Sequence, residues 1–258
     1  MIRSLVLVTV IIAVAGCTSF AFKKSTKGTA PSDLQDPATM VELAGGTFEM
    51  GFNNGEPDEY PSHPITVSAF SIDLREVTRG DYRRCVDASV CKPVADLGTP
   101  NVEDTHPVIG VTWFGAKTYC EWVGKRLLTE AEWEFATRMP HKTLFPWGGP
   151  FEMPRANSRT PKDGFEFTAP VGSFPTGASP NGVLDLAGNA SEWVADWYEA
   201  TYYQKSPKEN PKGPEAPTGE RVVRGGSWSD PDHLLRAVSR LGLEPNVSNS
   251  AIGIRCGR

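Results

Sequence analysis

The sequence predicts a single loop-rich domain in which short strands and short helices sit among many turns. Three observations predict it. Glycine and proline are abundant, at 25 and 22 of 258 residues, so turns are frequent and regular elements brief. Apolar and polar residues alternate only in short runs such as Ile65 to Ile72, the period of a half-buried strand. Helix-start signals stand at Thr78 and Thr129, each followed three residues on by an acidic side chain. No segment recurs at a fixed period, which excludes solenoids and propellers. A net charge of -5 leaves no basic footprint for nucleic acid.

The N-terminus carries a targeting signal. Arg3 precedes an apolar run from Leu5 to Val14 that is too short to span a membrane as a helix. It ends in Val14-Ala-Gly-Cys17, which resembles the lipobox of bacterial lipoproteins, although Val14 stands where Leu is usual. That resemblance implies a signal peptide over 1–16, lipidation of Cys17 and attachment to the membrane of a bacterial cell envelope. Thr18 after the cysteine, rather than Asp, favours the outer membrane. Residues 17–40 are Lys-, Ser-, Thr- and Pro-rich without periodicity and read as a flexible tether, so the domain is expected over 41–258.

Along that domain, Val41 to Gly51 reads as strand, turn, strand, and a polar loop over 53–63 leads to the strand at Ile65–Ile72. Thr78 opens a helix through Tyr82 and Val86. Thr112 opens a second, with Trp113, Ala116, Tyr119, Cys120 and Val123 at helical spacing. Lys125 to Thr129 turns the chain, and Thr129-Glu-Ala-Glu132 is a capping box for a third helix carrying Trp133, Phe135 and Ala136. Residues 140–180 and 206–218 are loop. Arg221 to Trp228 and Ile252 to Cys256 read as two strands around an irregular insertion.

Four cysteines remain beyond Cys17, an even number suited to an oxidising compartment. Three pairings are open. Cys85 and Cys91 pair most readily across a turn, which leaves Cys120 for Cys256.

The most concentrated chemistry lies in Asn181 to Tyr198. Leu184, Leu186, Trp193, Val194 and Trp197 pull this stretch inward, yet it carries Asp185, Glu192 and Asp196. Buried carboxylates need a partner or a metal. A loop folded back across Gly188 could aim Asp185 and Glu192 at one point, an oxygen-rich arrangement that suits calcium. Spacing alone favours the plainer reading, in which Asp185 caps a turn while Glu192 faces solvent.

Seven stretches then occur in an order that resembles the formylglycine-generating enzyme, or sulfatase-modifying factor, family. They are Phe48-Glu-Met-Gly51, Glu76-Val-Thr78, Pro107 to Trp113, Lys125 to Glu134, Gly188-Asn189 with Glu192-Trp193, Arg224-Gly-Gly-Ser-Trp228 and Gly253-Ile-Arg-Cys256. The resemblance implies an α+β, C-type-lectin-like fold over roughly 41–258. It implies two structural calcium sites. One uses Asp185 and Glu192 with the carbonyls of Gly188 and Ala190, and the other uses Asn157 and Asp163 with the carbonyls of Ser158 and Phe165. Cys120 and Cys256 also coincide with a family disulfide.

The enzymes of that family hold copper(I) with two cysteines placed shortly after Gly-Gly-Ser. Those positions fall near Asp230 and Leu235, so copper-thiolate oxidation is not expected here. A second branch of the fold holds iron with histidines, but His63, His106, His141 and His233 are scattered and no iron site is expected. The family's substrate groove would be lined by Ser227, Trp228, Asp230, Asp232, His233, Arg236 and Arg240, residues able to take a protein, a peptide or a small polar ligand. The alternative is that Arg236 and Arg240 form an exposed face. Arg224-Gly-Gly-Ser-Trp and Gly253-Ile-Arg255 also resemble receptor-like variable proteins of this fold. The functional expectation is a calcium-stabilised binding or scaffolding module, with an envelope oxidoreductase or maturation enzyme of non-cysteine chemistry as the alternative.

Overall fold

A computed structural model describes residues 28–35, 39–95, 103–160 and 162–258. The expected signal peptide over 1–16 and Cys17 lie outside the described residues.

Strand β1 (Met40–Leu43) is followed by β2 (Gly46–Met50), β3 (His63–Val67) and β4 (Phe70–Asp73). Helix α1 (Arg79–Asp87), helix α2 (Trp113–Trp122), the two-residue β5 (Arg126–Leu127) and helix α3 (Glu130–Arg138) come next. After a long loop the chain forms β6 (Ser191–Trp197), β7 (Arg221–Arg224), β8 (Leu241–Leu243), β9 (Ile252–Gly253) and β10 (Cys256–Gly257). Among the described residues three sheets result, ordered β1-β4-β10-β5, β2-β3 and β8-β7-β6-β9. Among the strand pairs of the described residues only β6 with β9 is parallel.

The helix starts follow the sequence. Thr78 accepts the Asp81 N–H at 3.1 Å and Thr112 accepts that of Gly115 at 3.1 Å. At Thr129 the box is reciprocal: Glu132 N–H donates to the threonine hydroxyl at 3.2 Å, and Thr129 N–H donates to the Glu132 carboxylate at 2.8 Å. Each cap satisfies donors that a helix's first turn would otherwise leave orphaned.

Two expectations need correction. The run 65–72 is not one strand but two, broken at the exposed Ser68 and Ala69. Before the break Ile65 and Val67 alternate inward, whereas every residue of β4 is buried, so β4 belongs to a covered sheet and β3 to another. Nor does the tether extend to residue 40. Gly28 donates to the Ala88 carbonyl at 3.2 Å, Trp122 Nε1 donates to the Gly28 carbonyl at 2.8 Å, and Asp33 accepts both Arg84 Nη atoms at 2.7 Å. Ala30 and Leu34 pack on the domain, which gives this stretch an apolar reason to dock.

Among the described residues the two larger apolar clusters form the core with β6 between them, and a smaller one gathers Phe145, Ala156, Ala187 and Leu235. Val194 faces the cluster containing Phe48, Ile72, Trp133 and Phe135, while Trp193 faces the one containing Tyr82, Trp113, Cys120 and Ile254. Successive side chains on a strand point oppositely, so one strand serves both. Trp133 and Trp193 are 0% and 1% exposed, and burial of each indole contributes about 4 kcal/mol. Both expected disulfides are present, Cys85–Cys91 and Cys120–Cys256.

Candidate functional site

The loop leading into β6 positions the acidic residues. Its backbone takes left-handed conformations at Asp185, Gly188 and Asn189, with φ of 58°, 83° and 62°. At Gly188 a Cβ would lie 1.9 Å from the Asn157 carbonyl oxygen, so only glycine admits this approach. Asp185 Oδ2 accepts the Gly172 N–H at 2.6 Å. Glu192 Oε2 accepts Trp133 Nε1 at 2.7 Å, and Oε1 accepts Arg255 Nε at 2.9 Å. Arg255 also donates to the carbonyls of Asp73 and Leu184.

A third carboxylate joins them. Glu76 accepts the Ala190 N–H at 2.8 Å and the Asn189 side-chain amide at 2.6 Å. Glu76, Asp185 and Glu192 are 2%, 7% and 1% exposed, and Arg255 is the guanidinium among them. Burial pushes the Glu76 carboxyl well above its ordinary range, and the charges of Asp185 and Glu192 add to this. Burial raises Asp185 to about 6, against the pull of the Gly172 N–H and Arg255. Glu76, Asp185 and Glu192 crowd around the Arg255 guanidinium, and burial with mutual repulsion resists ionisation of Glu76 and Asp185. Asp196, the other acid of this stretch, lies apart, its Oδ2 accepting the Glu130 N–H at 2.9 Å.

The second loop touches the first, because Asn189 N–H donates to the Asn157 carbonyl at 3.0 Å. Asp163 accepts the N–H groups of Ser158 and Phe165 at 2.9 and 3.0 Å. Asn157 is 1% exposed and donates its amide N–H to the Phe167 carbonyl, but its Oδ1 has no hydrogen-bond partner. A buried orphaned acceptor is costly, and a cation is one remedy. The donors Asn157, Asp163 and neighbouring carbonyls fit a hard oxygen-ligated ion. The fit at Asp185 rests on the crowding of its carboxyl with Glu76 and Glu192, which a cation would relieve, since both Glu192 oxygens already serve Arg255 and Trp133. Among the described residues no group of three His, Cys, Asp or Glu side chains could hold a metal, so carbonyl ligands are required at either place.

The expected groove contracts. Ser227 is 0% exposed, and its N–H and hydroxyl donate to Asp230 Oδ2 at 2.9 and 2.6 Å. Trp228 N–H donates to the Asn189 carbonyl and Nε1 to the Ser250 carbonyl, with the ring 5.0 Å from Phe167. Arg240 does not line this surface. Its side chain is 0% exposed, bonded to Glu130 at 2.7 Å and 4.2 Å from the Tyr203 ring centroid, which also rules out the exposed-face alternative. Arg236 is 13% exposed and pairs with Glu59 at 2.6 Å. Both arginines pair with buried carboxylates instead of facing water.

A buried ionic network thus lies behind the groove, with Arg224 bonded to Glu130 at 2.8 Å and Glu134 at 2.7 Å, and Arg138 bonded to Glu134. Burial works to raise the Glu130 carboxyl, yet Arg240 and Arg224 hold it below its ordinary range. No local spacing marks Glu76, Glu59 or Glu130 as members of these groups, because the side chains they hold, at Asn189, Arg236 and Arg224, lie 113, 177 and 94 residues away, whereas Glu134 meets Arg138 one helical turn on as well as the distant Arg224.

The sulfatase-modifying factor enzyme 1-like domain matches residues 26–258. The serine/threonine-protein kinase pkn1 of Chlamydia pneumoniae is 37% identical over 85% of the chain, and the chain spans 38% of that kinase's length. The inactive C-alpha-formylglycine-generating enzyme 2 of Bos taurus is 31% identical over 84% of the chain and 87% of its own. The solved structure of PvdO from Pseudomonas aeruginosa superposes with a TM-score of 0.76 at 31% identity, covering 85% of this chain and 93% of that one. The α+β, C-type-lectin-like fold follows from that superposition, and the chain belongs to the sulfatase-modifying factor enzyme 1-like family.

Proposed function

We propose that this protein is a lipid-anchored protein of the bacterial cell envelope whose calcium-stabilised domain acts as a binding or scaffolding module rather than as a copper oxidase. One observation carries the reading. Where the resemblance puts the oxidase's thiolates, Asp230 is hydrogen-bonded to Ser227 and Leu235 is 0% exposed within an apolar cluster. The four described cysteines are all closed in disulfides. Copper(I) needs soft thiolates, and those two positions offer oxygen and hydrocarbon. The relative named inactive formylglycine-generating enzyme 2 supports the same direction.

Calcium would be held by Asn157 and Asp163 with the carbonyls of Ser158 and Phe165, and by Asp185 and Glu192 with those of Gly188 and Ala190. When bound, it supplies positive charge to buried carboxylates and a partner for Asn157 Oδ1. The surface around Trp228, Phe167 and the exposed Ser229 is where a protein, peptide or small polar ligand would bind. Attachment to the membrane would run through a lipid on Cys17, most directly in the outer membrane.

The test incubates the purified protein with copper(I), oxygen and a peptide carrying a cysteine. The expected result is no conversion of cysteine to formylglycine, and steady turnover would overturn the reading. For the anchor, labelling cells with a palmitate analogue should tag the wild-type chain and not Cys17→Ser.

A further inference from the structure

A second cleft lies on a different part of the molecule from the calcium loops and the Trp228 surface. It encloses about 490 Å³ between α2, β5 and the turn joining β3 to β4, a volume suited to a small molecule. Its floor is apolar, formed by Val67, Trp113, Leu127 and Ala195. One wall is a single face of α2, where Trp113, Lys117 and Glu121 recur four residues apart.

The opposite wall is a loop pinned in place. Thr66 N–H donates to the Lys208 carbonyl at 2.7 Å and Asn210 N–H to the Thr66 carbonyl at 2.8 Å, so the loop adds to the edge of β3. Asn210, with φ of 44°, accepts the Ser68 N–H at 2.7 Å and donates to the Ser68 hydroxyl at 3.0 Å. These four bonds fix the loop, and Lys212 follows two residues later at the cleft rim.

The charges of the lining do not cancel. Lys117 pairs with Glu121 and Arg126 with Glu132, which leaves Lys212 as a cation with no ion pair among the described residues. One uncompensated ammonium beside an apolar floor matches a monoanion with an apolar body. A dianion would meet the carboxylates of Glu121 and Glu132 in addition.

We propose that this cleft binds a small amphipathic carboxylate, its apolar body on Trp113 and Leu127 and its carboxylate at Lys212. Neither the calcium assignment nor the binding-module reading is needed for this.

The probe is phenylbutyrate, titrated into the full protein while backbone amide resonances are followed. Phenylbutanol serves as the neutral counterpart and phenyl phosphate as the dianion. The expected result is saturable shifts at Ser68, Lys117 and Ala195, with phenylbutyrate binding more tightly than either comparison compound. Lys212→Ala should weaken it about fivefold, the scale of one exposed charge contact, and Lys212→Arg should restore it. Lys212 is exposed, so neither variant threatens the fold. Absence of shifts at those amides, equal binding of phenylbutanol, preference for phenyl phosphate, or indifference to Lys212→Ala would each overturn the proposal.

Discussion

Glu192 shows how one side chain can be asked to do two things. The family resemblance implies a metal ligand there, while the fold gives both its oxygens to Trp133 and Arg255. Glu192→Ala is therefore expected to cost more than calcium removal does, because it also strands a buried guanidinium. The loss should be about 3–5 kcal/mol in urea denaturation, against a smaller loss for the wild type in EDTA. Equal losses would mean that Arg255 does not depend on Glu192. Asn157 is the converse case, an orphaned acceptor with no ionic partner to lose. In Asn157→Ala the melting temperature should respond less to EDTA than in the wild type. That the first loop carries carboxylates was legible from Asp185 and Glu192 in sequence. That Glu76 completes the group was not, since its partners at Asn189 and Ala190 are 113 and 114 residues away.

Among the elements, helix starts were the most legible, because a cap is written in four consecutive residues. Thr129→Ala removes the hydroxyl of a reciprocal cap and should cost about 1 kcal/mol, measured as a change in denaturation midpoint without a change in slope. Strand boundaries were less legible. Alternation continues through Val67, Ser68 and Ala69 with nothing to mark that β3 and β4 join different sheets. The short β9 and β10 owe their existence to pairing with β6, β4 and β5, which no local pattern announces. Arg236 and Arg240 were misplaced for a related reason. Four-residue spacing looks like one face of a helix, but the segment instead forms a single turn over Asp232–Leu234 and then sends both arginines to carboxylates behind it.

At the scale of the whole molecule, the buried ionic network ties α3 to β7 and to the segment after the groove. Glu130 has its folded value below the ordinary carboxylate value. Its contribution is therefore complete above that value, near pH 4.5, and is lost as pH falls through the lower folded value. The stability difference between wild type and Glu130→Gln should be constant at neutral pH and shrink below about pH 4.5. A difference that instead grows on acidification would contradict the pairing. Cys120–Cys256 joins residues 136 apart and fixes the C-terminus beside α2, so replacing both by Ser should cost about 2–5 kcal/mol. The domain extends to Gly28 because Ala30, Leu34 and Asp33 bind the body of the fold, a boundary that composition alone places too late.

The most direct measurement is the metal content of the protein purified without chelators, by elemental mass spectrometry, together with its melting temperature before and after EDTA. The account predicts bound calcium, no stoichiometric copper or iron, and a fall in melting temperature on chelation, because the ion binds only the folded state. Copper or iron at one equivalent would contradict the non-oxidase reading, and absence of calcium with no response to EDTA would contradict the assignment of the acidic loops.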